Sequence, residues 1–102
     1  MDQEKSVTRI DIVGDLNIFN AAEQRQRLLE AIDACDAVEV DLSLVSDIDS
    51  AGLQLMLAAK REAGLRNKEL AFSGHSVAVC AVLALCGLSQ HLGEALPIGS
   101  AP

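Results

Sequence analysis

Residues 37–42 read AVEVDL, a strict alternation in which Val38, Val40 and Leu42 can face a core while Glu39 and Asp41 face water. A period of two marks a strand with one solvated face, and residues with helical spacing lie on both sides of it. Upstream, Asn20 precedes AAEQRQRLLEAIDA, residues 21–34. Asn20 is a good N-cap, Glu23 resembles the second half of a capping box, and Ala21, Leu28, Leu29 and Ile32 form the buried stripe. Downstream, SLVSDID reads as a loop, followed by a second helix from Ala51 to about Ala63 that Gly64 closes. A strand set between two helices commits the chain to an α/β architecture.

The remaining elements extend this pattern. Val7–Val13 alternates, with Thr8, Ile10 and Ile12 on one side and Arg9 and Asp11 on the other. Gly14-Asp15 is a turn signal, so residues 16–19 are expected to return as a second short strand in a hairpin. Lys60, Arg61, Arg66 and Lys68 gather near the end of the second helix, where cations complement the dipole. Residues 69–73 form a strand with Leu70 and Phe72 inward. Ser76 caps a third helix, Val77–Cys86, which Gly87 ends. The tail has room for one turn and a short strand around residues 96–98, and residues 1–6 and 99–102 are expected to fray. The expected order is β-β-α-β-α-β-α-β in a single domain spanning residues 1–102. Its sheet is mixed, because the hairpin is antiparallel, with the helices mainly on one face.

Charge and composition narrow the function. The chain has 102 residues and a formal charge of −7, and twelve of its fifteen acids precede Ala51. That balance argues against a nucleic-acid surface, which needs clustered Lys and Arg. Only Phe19 and Phe72 are aromatic, so the core is aliphatic. Cys35, Cys80 and Cys86 include no C-x-x-C pair, and six residues of helix turn Cys80 and Cys86 roughly 240° apart. All three are therefore expected as buried, reduced thiols, which implies a reducing compartment. The start, MDQEKSVTRI, lacks the basic and apolar regions of a secretory signal, and the run from Val77 to Cys86 is about half of a bilayer span. The expected location is cytoplasmic.

Most candidate chemistry falls away. Gly74-His75-Ser76-Val77-Ala78 nearly matches the nucleophile-elbow pattern, but Ala78 replaces the second glycine and His75 adjoins Ser76 too closely to serve as its base. Asp47 and Asp49 have EF-hand-like spacing without the twelve-residue loop, and His75 and His91 have no partner at ligand spacing. No phosphate-binding glycine loop occurs. Neither a metal, a cofactor nor an enzymatic activity is expected. DIDSAGLQL, residues 47–55, stands apart. As an N-cap, Ser50 would accept a hydrogen bond from Gly52 or Leu53, worth roughly 1 kcal/mol. Gly52 costs its helix up to about 1 kcal/mol relative to alanine, so its bare backbone suggests close approach by another chain or loop. Gln54, Ala58 and Arg61 continue as a low polar face suited to a partner. A phosphate on Ser50 would suit the helix N-terminus but meet Asp47, Asp49 and any docked partner as nearly two new negative charges.

VDLSLVSDIDSAGLQLMLAAKREA resembles the central signature of STAS domains, the anti-sigma-factor antagonist family. GDLNIFNAAEQRQRLLEAI and FSGHSVAVCAVLALCGL resemble that family's flanking elements, so the likeness runs from about residue 7 to residue 98. It is most like small stand-alone bacterial members associated with chemotaxis and other signalling. The resemblance implies the STAS fold and a non-enzymatic, anti-anti-sigma-like binding module without a cofactor. Its serine, here Ser50, would be phosphorylated by a partner, a histidine-kinase-like anti-sigma factor or serine kinase, and would then release that partner. Asp47, Asp49, Ser50, Ala51, Gly52, Leu53, Gln54 and Arg61 are the expected partner-binding residues. Ala51 replaces the second hydroxyl that many members carry, leaving Ser50 as the acceptor in the motif. The family's C-terminal helix is expected to be absent or vestigial. The alternative is a constitutive accessory subunit of a lipid-transport ABC ATPase.

Overall fold

In the computed structural model, which describes residues 6–87, the alternating stretch lies in the middle strand of a three-stranded parallel sheet. The elements run β1 (Val7–Leu16), α1 (Ala21–Ala34), β2 (Ala37–Ile48), α2 (Ser50–Leu65), β3 (Glu69–Ser73) and α3 (Val77–Leu85), and the strand order is β1-β2-β3. The expected α/β fold holds. The expected short strand at 96–98 and the frayed residues 99–102 lie outside the described residues. Ser6, expected to fray, is tied down: its amide donates to Asp36 Oδ2 at 3.0 Å, and its carbonyl accepts from Ala37 N at 3.0 Å.

The expected hairpin does not form. β1 continues through Gly14-Asp15 to Leu16, paired in parallel with β2 throughout, so every pairing among the described residues is parallel and the sheet there is not mixed. Gly14 absorbs the bend at φ +89, a conformation that glycine adopts without a Cβ penalty. The register shifts twice, between Asp11 and Val13 and again between Gly14 and Asp15, each time with an extra residue on β2. Those bulges explain why SLVSDID resembled a loop. Leu42, Val45 and Ile48 are all buried although they are spaced by three, because each bulge resets the side-chain alternation.

A single apolar cluster joins Ile10, Ile12 and Leu16 of β1 to Val38, Val40 and Leu42 of β2, and draws in residues of all three helices. The helices therefore cover one sheet face, as the alternation requires. Leu28 and Ile32 come from α1, Met56 and Ala59 from α2, and Val79 and Leu83 from α3. The opposite face carries charge around Arg9, Glu39 and Asp41 and also the exposed register partners Val13 and Leu44. Ser73 Oγ donates to Glu39 Oε2 at 3.0 Å, and Arg9 lies 3.3 Å from Asp41 and 3.8 Å from Glu39.

Asp41 anchors the end of the three-stranded region. Its carboxylate is held below its ordinary pKa by the Ser43 hydroxyl, then by the Ser43 amide at 2.7 Å, and also by Arg9. A carboxyl depressed on folding contributes stability above the unfolded pKa and loses that contribution as pH falls through the folded one. The stability gap between the wild type and Asp41→Asn should hence be constant above about pH 5 and narrow below it, which urea titrations at stepped pH would read.

Three other expectations change. Asn20 precedes α1 as expected, but its side chain makes no cap hydrogen bond to the helix, because its Oδ1 accepts from Asn17 N instead. Gly64 lies inside α2, which runs on to Leu65, and Asn67 adopts the left-handed turn at φ 58. Arg66 caps that end and pairs with Asp33 and with Glu62. The cysteines are not buried: Cys80 and Cys86 are exposed and Cys35 is half-buried, all three free thiols. α3 carries no charged residue, so its sequence could not show which stripe turns inward, and packing selects Val79 and Leu83.

Candidate partner-binding site

The site forms where β1 and β2 end together. Leu16 pairs with Ile48, and Asp49 N donates to Leu16 O at 3.2 Å, so the chain leaves the sheet at Asp49 and enters α2 at once. Asp49 is extended, with φ −112 and ψ −172, and its Oδ1 accepts from Ala51 N at 2.9 Å and Gly52 N at 3.1 Å. The cap is therefore Asp49 and not Ser50, because the strand pairing sets the helix start one residue earlier than the serine reading required. Ser50 is the first helical residue and is exposed, and its hydroxyl makes no hydrogen bond within the described residues.

Gly52 also differs from expectation. It is buried, and a Cβ there would stand 2.4 Å from Leu16 O, 2.8 Å from Ile48 Cγ1 and 2.9 Å from Leu16 Cγ. The close approach that its bare backbone permits is thus internal, between α2 and the end of β1. Leu53 likewise turns into the core. The surface around Ser50 is left to Asp47, Asp49, Ala51 and Gln54. Asp47 is exposed, with Oδ1 accepting from Ile48 N at 2.9 Å, and it is the register partner of Asp15, whose Oδ1 accepts from Ser46 Oγ at 3.1 Å. Arg61 is exposed but lies eleven residues along α2, about 16 Å from Ser50 at helical rise. Ala51 and Gln54, with Ala21, Ala22 and Arg25 of α1, line a shallow groove of about 300 Å³ between the two helices, floored by Leu55.

The sequence reading missed two residues here. Ile18 and Phe19 are 69% and 93% exposed, the latter the most exposed of the large apolar side chains described, and Ile18 N donates to Asp49 Oδ2 at 3.2 Å. The available signal was Asn17-x-x-Asn20, a turn pair flanking one of the chain's two aromatic residues.

The other candidates behave as caps or surface. Ser76 Oγ accepts from Val79 N at 3.2 Å, the capping role expected of it. Among the described residues no group of three His, Cys, Asp or Glu side chains could hold a metal ion, and no helix is long and apolar enough to cross a membrane.

The family model described as "Mlab, STAS domain" matches residues 1–96. The chain belongs to the STAS domain family. STAS domains are generally regulatory modules rather than enzymes. Solved structures share the fold at low identity. An anti-sigma factor antagonist from Mycobacterium paratuberculosis has a TM-score of 0.74 at 21% identity, over 89% of this chain and 78% of that one. The phosphorylated form of the Bacillus cell fate determinant SpoIIAA has a TM-score of 0.65 at 23% identity, over 83% and 79%. The STAS domain of a SulP transporter from Vibrio cholerae has a TM-score of 0.66 at 18% identity, over 91% and 73%. The fold thus serves both anti-sigma antagonists and transporter domains.

Proposed function

We propose that this STAS domain is a cytoplasmic, non-enzymatic signalling module that binds a protein partner and releases it when Ser50 is phosphorylated. The observation that carries the reading is the division of labour between Asp49 and Ser50. Asp49 caps α2, so the Ser50 hydroxyl is exposed and free at the positive end of a helix. In the reaction, Ser50 Oγ would take the γ-phosphoryl group of ATP held by a kinase partner; the new O–P bond forms as the bond to ADP breaks, and the hydroxyl proton passes to a base on the kinase. The phosphate would bring nearly two negative charges beside Asp47 and Asp49, while the core beneath stays intact. Ala51, Gln54 and the exposed Phe19 supply the neighbouring contact surface. The partner that fits is an anti-sigma factor of the histidine-kinase type or a serine kinase, and the likeness to a phosphorylated antagonist supports that class.

Affinity purification from the native cell, with mass spectrometry of partners and of Ser50, tests this reading. Ser50→Asp should keep the fold, seen by circular dichroism, and lose about a hundredfold or more in affinity for the captured partner, the size of effect a charge placed in an interface produces. Ser50→Ala should bind like the unmodified protein. Equal binding by both variants would leave Ser50 without a switching role. A second reading is a constitutive accessory subunit of a lipid-transport ABC ATPase; the STAS domains of SulP and sulfate transporters that share the fold support a place in transport in general. It predicts stable co-purification with an ATPase and no phosphoserine.

A further inference from the structure

The Asp49 carboxylate holds two elements at once. Oδ1 accepts from Ala51 N and Gly52 N at the start of α2, and Oδ2 accepts from Ile18 N at 3.2 Å in the turn that leaves β1. That turn is otherwise bonded mostly to itself. Asn17 Oδ1 accepts from Phe19 N at 2.9 Å, Asn20 Oδ1 accepts from Asn17 N at 2.9 Å, and Asn20 Nδ2 donates to Asp15 O at 2.6 Å. Ile18 and Phe19 are too exposed for packing to position them. The bond from Ile18 to Asp49 therefore ties the apolar tip of the turn to the helix that begins at Ser50.

We propose that Asp49 is a latch through which a phosphate on Ser50 releases the Ile18–Phe19 turn. The inference deepens the phospho-switch reading and rests on Ser50 as the modified residue. A phosphate there would bring acceptor oxygens to the same helix N-terminus that Asp49 caps and repel its carboxylate across one residue. Asp47 and Asp15 add negative charge on the sheet side. Residues 42–59 and 10–24 contain no Lys or Arg, Arg9 is engaged by Glu39 and Asp41, and the cation on this side is Arg25 of α1, which shares the groove with Ala51 and Gln54. With the cap taken over by phosphate, Asp49 swings away and Ile18 N loses its acceptor. Phosphorylation then alters the contact surface in two places: charge at Ser50, and loss of a preset position for Phe19. Preset aromatic side chains bind well because little entropy is lost in ordering them, so releasing Phe19 weakens a partner's grip.

The test needs no partner, so its failure is separable from failure of the binding switch. Phosphoserine is installed at position 50 during translation, and exchange of single amides is read by NMR in the full chain. The Ile18 amide should exchange about five- to tenfold faster than in the unmodified protein, the loss of one hydrogen bond, while Val40 and Phe72 stay unchanged. Asp49→Asn separates the two arms. Asparagine caps a helix as well as aspartate, but it turns an NH₂ toward Ile18 N. Ile18 in this variant should exchange as fast as in the phosphoprotein, and adding the phosphate should change it no further. The latch is overturned if the phosphate leaves Ile18 exchange unchanged, or accelerates it equally in the wild type and in Asp49→Asn.

Discussion

Gly52→Ala should lower stability by about 1–3 kcal/mol, although the same change in an open helix position raises it. The added methyl would meet the backbone oxygen of Leu16 at 2.4 Å, and a backbone atom cannot rotate aside as a side-chain tip can. Leu16 O also accepts from Asp49 N, so displacing it loosens the residue that caps α2. Gly64 is the internal control. It lies in the same helix, where an added methyl would have nothing within 4 Å, and Gly64→Ala should gain about 0.5–1 kcal/mol. Urea denaturation of both variants reads the comparison, as midpoints that move in opposite directions. The outcome matters for the site, since it separates a glycine needed for internal packing from one kept bare for a partner.

Phe72→Ala should have the largest effect, about 3–5 kcal/mol, the usual cost of emptying a buried aromatic site. Phe72 is the largest of the fully buried side chains and stands opposite Val40 in the register of β2 and β3. β3 is only five residues long, and its inward side chains are Leu70 and Phe72, so the cavity would open beneath α2, the helix packed against β3. Against the roughly 5–15 kcal/mol typical of a small domain, this removes about a fifth or more of the total. Phe72→Leu should recover most of it. Thermal melting is the direct measurement, and a loss below about 1 kcal/mol would show that the aliphatic core closes over the gap.

Much of the fold was legible in local pattern. The 21–34 helix follows from the spacing of Leu28 and Ile32, and the third helix from its Ser76 cap. The one-sided cover of the sheet follows from Glu39 and Asp41 alternating with Val38 and Val40. The hairpin was misread because Gly-Asp marks a turn as readily as a bend within one strand, and pairing over ten residues outweighed the local signal. Helix capping at the site was ambiguous for a similar reason: Asp and Ser cap about equally well, so two adjacent candidates cannot be separated by propensity.

What the sequence determined by itself is the alternation of strands and helices, the aliphatic core faces, the acidity of the first half and the motif that marks the family. Those properties reside in the spacing and chemistry of neighbouring residues. Tertiary structure decided where each element stops. Pairing of Leu16 with Ile48 ends both strands at one level, which makes Asp49 the cap, turns Gly52 inward and leaves the Ser50 hydroxyl free. The same junction brings Ile18 against a carboxylate 31 positions away, a contact that only the parallel register can create.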